Sequence, residues 1–259
     1  MKSSAHPAGA KPAHSSRPGI QFRRRLFSLL FVPLLGTLGV LGLMSWPPQA
    51  MSAEINQVLP APQLDEAGTS AHTAVAVVAG GCFWGVQGVF QHVRGVTRVL
   101  AGYSGGSADT AQYETVSGGN TGHAESVEIV YDPAKISFGR LLQIYFSVAL
   151  DPTQLNRQGP DSGTQYRSAI FAVNPEQEKI ALHYITQLSE THLFKRPIVT
   201  HVGPFKGFYP AENYHQNYLT LHPDDVYIAI NDIPKVDNLK RLFPSVYLTQ
   251  PVLVQLPKE

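Results

Sequence analysis

From Thr73 onward, hydrophobic and polar positions divide the chain into alternating strand and helix signals. Ala74-Val75-Ala76-Val77-Val78-Ala79 is an unbroken apolar run rich in β-branched residues, the mark of a buried strand. Phe83, Val86, Phe90 and Val93 then recur at helical spacing and predict an amphipathic helix. Val96 to Tyr103 predicts a second strand. Ser104 to Gly122, with glycines at 105, 106, 118, 119 and 122, reads as a long loop, either functional or disordered. His123 to Tyr131 alternates as a strand. Ser137 is placed to cap a helix over Phe138 to about Ala149, with Leu141, Leu142, Tyr145 and Phe146 on its apolar face. Asp151 to Gln165 is loop-forming in composition, and Arg167 to Val173 predicts a strand. Asn174 followed by Pro175 starts another helix, with Ile180, His183, Tyr184, Gln187 and Leu188 on successive turns. A short strand is expected over Pro197 to Val202, before an aromatic-rich region holding Phe205, Phe208, Tyr209, Tyr214, His215 and Tyr218. From about Leu248 the pattern fades into what reads as a loose tail.

The order β-α-β-β-α-β, then a helix and a further strand, predicts an α+β fold. Its expected form is a two-layer sandwich with a mixed or antiparallel sheet, close to the split βαβ (ferredoxin-like) arrangement. No repeat and no phosphate-binding glycine motif is visible.

The residues before this pattern have another character. No Asp or Glu precedes Glu54, and Arg23, Arg24 and Arg25 lead into an apolar run from Leu26 to about Trp46, followed by small-residue sites ending at Ala50 and Ala53. Residues 1–53 therefore read as an export signal or a membrane anchor, placing the protein in the periplasm or facing outside the cytoplasm. A twin-arginine signal and an organellar presequence are alternative readings. Residues 54–72 read as a linker, 73–247 as the catalytic domain and 248–259 as a C-terminal tail.

Composition narrows the chemistry. Hydrophobic content of 43% in 259 residues suits a globular core, and a net charge of +1 gives no argument for nucleic acid or an anionic membrane surface. The single cysteine excludes an intramolecular disulfide and a Cys-rich metal site within the chain. That cysteine lies in Gly80-Gly81-Cys82-Phe83-Trp84-Gly85, between the first strand and the first helix. The glycines permit a sharp turn, and a helix N-terminus favours a thiolate. Cysteines also serve as small buried hydrophobes, but this junction, with two aromatics after the sulfur, favours a nucleophile.

The hexapeptide resembles the signature of the A-type methionine sulfoxide reductases, which reduce the S epimer of methionine sulfoxide in proteins and as the free amino acid. Thr121-Gly122-His123-Ala124-Glu125, Asp161-Ser162-Gly163-Thr164-Gln165-Tyr166-Arg167-Ser168 and the stretch Tyr209 to Tyr218 resemble further family motifs in the family's order. The resemblance spans roughly Ala74 to Pro244 and implies the same fold.

Sulfoxide reduction needs a thiolate, a proton donor for the departing oxygen, donors that hold that oxygen, and an apolar slot for the S-methyl group. Glu125 shares a strand face with Val127, Ile129 and Tyr131, where lost hydration raises a carboxyl pKa. A strand-end residue reaching water is the other reading, and the resemblance implies the acid. Tyr113, in the glycine-rich loop, and Tyr166 are the oxygen donors, since phenols keep their protons at neutral pH. The resemblance implies that Asp161 orients the site by hydrogen bonding, although a turn-initiating Asp fits that position nearly as well. Phe83 and Trp84 are the expected slot, at least one of them facing the site. Gly81, Tyr209, Glu212, Tyr214 and His215 complete the substrate-binding set, the last four as a wall of the cleft.

No metal or cofactor is expected. Ser117 stands where many relatives carry a cysteine, and no cysteine lies towards the C-terminus. A Cys82 sulfenic acid would thus be recycled by a thioredoxin-like protein or a small thiol, with the protein a monomer. Two other classes compete. One is a cysteine-dependent hydrolase or acyl transferase using His123, His201 or His215 as base. The other is a non-catalytic module binding methionine side chains around Trp84 and Tyr209.

Overall fold

The apolar run after Thr73 forms β1 (Ala74–Gly80), the strand around which the rest of the sheet is built. The computed structural model describes residues 57–67 and 72–255. The proposed leader, residues 1–53, lies outside the described residues, as do 54–56, 68–71 and 256–259. Among the described residues no helix is long and apolar enough to cross a membrane.

The other strands are β2 (Val96–Ser104), β3 (Ala124–Tyr131), β4 (Arg157–Gln158), β5 (Asp161–Ser162), β6 (Ser168–Ala172), β7 (His201–Pro204) and β8 (Phe208–Pro210). Six of them form one sheet in the order β7-β6-β1-β3-β2-β8, while β4 and β5 form a separate hairpin. Only the β6–β7 pair is parallel, so the sheet is mixed and mainly antiparallel. β1 does not alternate in polarity because both of its faces are covered. Ala76 and Val78 enter the main core, whereas Val77 and Ala79 join a smaller cluster with Ala124, Ala169 and Phe171 on the opposite face.

The main core is completed by helices, giving an α+β fold. α1 (Phe83–Gln91) contributes Phe83, Val86, Val89 and Phe90. α2 (Tyr113–Val116) is a single turn. α3 (Phe138–Ile144) buries Leu141 and Leu142 and continues as a π-type turn through Ala149. α4 (Pro175–Glu190) buries Ile180, Tyr184 and Leu188. α5 (Tyr218–Leu221) precedes a π-type turn over Ile228–Asp232 and then α6 (Ile233–Leu242), which buries Val236 and Leu239. The expected caps form: Ser137 Oγ accepts from the Arg140 N–H at 3.2 Å and Asn174 Oδ1 from the Gln177 N–H at 2.9 Å.

Several expectations are corrected. The glycine-rich stretch 104–122 carries a 3₁₀ turn at Ala108–Thr110 as well as α2, and 151–165 contains the β4–β5 hairpin. β7 begins at His201, not Pro197. Of the residues on successive turns of α4, Ile180, Tyr184, Gln187 and Leu188 are buried and His183 is exposed. Residues 57–67, assigned to a linker, pack onto α3 and α4. Leu59 is buried, the Asp65 and Glu66 carboxylates accept the Gly139 and Phe138 N–H groups, and Gln63 N–H donates to Gln187. The C-terminal stretch is a docked strap rather than a loose tail. Leu248 and Val252 donate to the His92 and Gln91 carbonyls, and Val254 exchanges two 3.0 Å bonds with the Asn217 side chain.

Candidate active site

One transverse row of the sheet collects the chemistry. β1 pairs Gly80 with Ser168, and continuing the β1–β3 register past Val78 and Val127 brings Gly80 level with Glu125. Glu125 faces Tyr103 on β2, and Tyr103 faces Tyr209 on β8. Glu125 lies on the strand face shared with Val127, Ile129 and Tyr131, which points into the main core beneath the helices.

Directly beyond Gly80 the chain turns into α1. Gly81 has φ +90°, and an added Cβ would lie 2.5 Å from Gln158 Cβ, so only glycine fits this turn. Gln158 is itself fixed by a pair of hydrogen bonds to the Asp151 backbone. Cys82 is the N-cap of α1. At the helix start the Phe83 N–H donates to Glu125 Oε2 at 3.0 Å, which holds the carboxyl against the turn that carries Cys82. The start of α1 therefore brings the Cys82 thiol and the Glu125 carboxyl to one place.

The predicted acidity of the thiol is corrected by its surroundings. Cys82 is only 9% exposed, and burial, then the charges of Glu125 and Asp232, push its pKa well above the ordinary thiol value. The Trp84 N–H and the Lys235 ammonium act in the opposite direction without cancelling this. The resting group is the thiol. Glu125 is 3% exposed, and burial raises its pKa to about 8 against the Phe83 N–H bond, with Asp161 and Asp232 adding to the rise. A carboxyl so placed keeps its proton near neutral pH and can donate it.

Tyr113, from α2, and Tyr166, from the turn before β6, converge on the same space. Burial first, and then the Glu125 charge, holds both phenols above their usual range, so both stay protonated. Among the described residues neither hydroxyl is engaged by a protein partner. Asp161 arrives on the β4–β5 hairpin and accepts the Tyr227 hydroxyl through Oδ2. Tyr227 was not predicted. It lies edge-on to Trp84 at 6.0 Å, and the Cys82 and Asp161 charges raise its pKa further after burial. Its signal was faint, a lone tyrosine in the apolar run Val226 to Ile230 just before α6.

The aromatic residues after the sulfur divide as adjacent helical positions must. Phe83 is a core residue, against Tyr103 at 5.8 Å and His215 at 5.0 Å. Trp84, half-buried, stacks on Tyr218 at 3.9 Å and donates from Nε1 to His215 Nδ1 at 3.1 Å. Trp84 thus lies on the more open side, between Tyr218 and Tyr227. His215 is buried, which lowers its pKa; with Nδ1 accepting, its proton sits on Nε2. Glu212 is a brace, accepting from the Tyr103 hydroxyl and the Tyr113 N–H, each at 2.9 Å. Tyr214 is 59% exposed and touches the His215 ring from outside. Tyr209, expected to bind substrate, ends the transverse row two strands from Glu125, with its ring against His123. It is not brought to the sulfur. Two open grooves, about 630 Å³ beside Leu155 and His201 and about 430 Å³ beside Arg98 and Leu253, also lie away from it.

The alternative base is not in place. His123 uses both ring nitrogens on Gly106 N–H and Ser107 carbonyl, His215 is bonded to Trp84, and His201 is exposed on β7. Among the described residues no histidine nitrogen bonds Cys82, and no group of three or more His, Cys, Asp or Glu side chains could hold a metal ion.

Comparison with known proteins agrees with this geometry. Residues 74–245 match the family described as peptide methionine sulfoxide reductase. A peptide methionine sulfoxide reductase named MsrA 2 from Mesorhizobium japonicum is 64% identical over 179 residues, covering 69% of this chain and 92% of its own. The MsrA 2 of Synechocystis is 51% identical over 191 residues, covering 73% and 89%. Among solved structures, methionine sulfoxide reductase A of Corynebacterium diphtheriae gives a TM-score of 0.51 at 35% identity, over 64% of this chain and 85% of that one. Reduced Mxr1 from Saccharomyces cerevisiae also gives 0.51, at 32% identity, over 61% and 90%. With Cys82 and Glu125 joined across the start of α1, the chain belongs to the peptide methionine sulfoxide reductase family.

Proposed function

We propose that in this chain the family's thiol-dependent reduction of methionine sulfoxide runs as follows. The substrate's S–O oxygen lies among Tyr113, Tyr166 and the protonated Glu125, and its S-methyl group lies against Trp84. Cys82 attacks the sulfoxide sulfur while Glu125 protonates the oxygen. The oxygen passes to Cys82, giving methionine and a sulfenic acid: the substrate sulfur gains two electrons and the cysteine sulfur loses two. Two external thiols, from a thioredoxin-like protein or a small thiol, then return Cys82 to the thiol and release water. The protein acts as a monomer on the S epimer, both protein-bound and free.

The observation that carries this reading is the helix start itself, where the Phe83 peptide N–H, next in the chain to Cys82, holds the buried Glu125 carboxyl at 3.0 Å. The test is intact-mass analysis after adding a methyl sulfoxide without reductant. A gain of one oxygen located at Cys82 supports the reading; an unchanged mass, or an acyl adduct formed from an ester substrate, overturns it.

Two further readings rest on other grounds. The order β6-β1-β3-β2, antiparallel throughout with α1 joining β1 to β2, supports a split βαβ core extended by β7 and β8. The acid-free, arginine-led segment before Glu54 supports export of the catalytic unit, and N-terminal sequencing of the mature protein tests it.

A further inference from the structure

α6 presses a buried ion pair onto the first turn of α1. Lys235 Nζ donates to Asp232 Oδ1 at 3.0 Å, with Asp232 fully buried and Lys235 nearly so. The contact point is Gly85. A Cβ there would lie 2.1 Å from Asp232 Oδ1 and 3.0 Å from Lys235 Nζ, so the pair rests on the helix backbone. Gly85 is three residues past Cys82, one helical turn, so the pair and the sulfur share the same end of α1. Asp232 Oδ2 is buried with no hydrogen-bond partner among the described residues.

A buried ion pair contributes little net stability, because both groups give up hydration. What it does supply is a fixed field in a poorly screened place. Cys82 is in need of one. Glu125 faces it from β3, Asp161 and Tyr166 from the β5 turn, Tyr113 from α2, Tyr218 from α5, and Tyr227 and Asp232 from the segment leading into α6. These groups are acidic or neutral. Lys235 is a cation whose charge favours the thiolate, and it also favours the ionised form of Asp161.

We propose that Lys235, seated on Gly85 by Asp232, is a positioning cation that tunes how readily Cys82 ionises, acting against the larger opposing charge of Asp232. This rests on Cys82 being the nucleophile, yet it concerns a different residue and is read by a different measurement. Asp232 opposes the thiolate and Lys235 supports it, so the two side chains have opposite signs of effect.

The test is the pH dependence of iodoacetamide alkylation in the full chain. With one cysteine in 259 residues, the adduct reports this sulfur alone, whether or not the enzyme turns over sulfoxide. Lys235→Met is expected to move the alkylation midpoint up by about one pH unit, which is about tenfold slower alkylation below the midpoint. Asp232→Asn is expected to move it down, and the double variant to fall between the two. Lys235→Arg restores the parent midpoint. Should Lys235→Met fail to fold, Asp232→Asn decides: an unchanged or raised midpoint overturns the proposal. Midpoints that stay at the parent value in every variant while melting temperatures fall likewise overturn it, and make the pair a brace between α1 and α6.

Discussion

At the residue scale, the proposed mechanism turns on two groups, Cys82 and Glu125, whose ionisation is set first by burial. Cys82→Ser is expected to abolish turnover while leaving the melting temperature within about 2 °C, since the volume change is small; retained turnover would remove the nucleophile. Glu125→Gln is expected to slow sulfenic acid formation by about 10²–10⁴-fold, measured in a single turnover. It also has a signed effect on stability. The Glu125 pKa is near 8 in the fold and near 4.5 in the open chain, so the folded state binds the extra proton between those values. Folding stability therefore falls as pH rises through that window, at up to about 1.4 kcal/mol per unit, and the slope should flatten in Glu125→Gln. Denaturant titrations at pH 5, 6.5 and 8 check this. Cys82 stood out because it sits at a strand-to-helix junction, whereas Glu125 was singled out by the motif Thr121 to Glu125, its strand pattern alone fitting a residue that reaches water equally well. The thiol's acidity was misread because the helix dipole was weighed without its neighbours, Glu125 and Asp232. Tyr227 escaped notice because its link to Asp161 joins segments far apart in the chain.

At the scale of elements, α1 is held by what it lacks at Gly85. Gly85→Ala would ordinarily gain up to about 1 kcal/mol of helix propensity. Here its methyl group would meet Asp232 Oδ1 at 2.1 Å, and such overpacking costs typically about 1–3 kcal/mol. A net loss is expected in urea unfolding, together with slower turnover; a stabilised variant would contradict the close contact. Elements with dense side-chain signals were legible: β1, β3, α1 and the capped starts of α3 and α4. Those with few were not. β4, β5 and β8 have two or three residues each, too short for alternation to register. β7 was displaced in the reading because Pro197 to Val202 offered β-branched residues, while the pairing that defines the strand comes from β6. α6 follows a π-type turn that breaks the 3.6-residue rhythm by which a helix is recognised.

At the scale of the whole molecule, the ends of the described chain are working parts. Residues 57–67 cap α3, and the C-terminal strap ties the end of α1 to Asn217, two residues past His215. Removing residues 248–259 deletes the bonds of Leu248 and Val252 and the reciprocal pair of Val254. At about 1 kcal/mol per bond and roughly 2–4 °C per kcal/mol in a domain of this size, the melting temperature should fall on the order of 10 °C. The kcat/KM should fall with it as His215 and Trp84 lose support. Neither segment was legible, because each is held by single contacts to helices far away in the chain, which leave no periodic pattern. The lone, recessed sulfur has a consequence for the order of events. An oxidised methionine and the thiol that regenerates the enzyme must enter by one doorway and in turn, each leaving before the other arrives. Double-reciprocal plots at several reductant concentrations should therefore run parallel, and crowding the entrance with either visitor should slow the other.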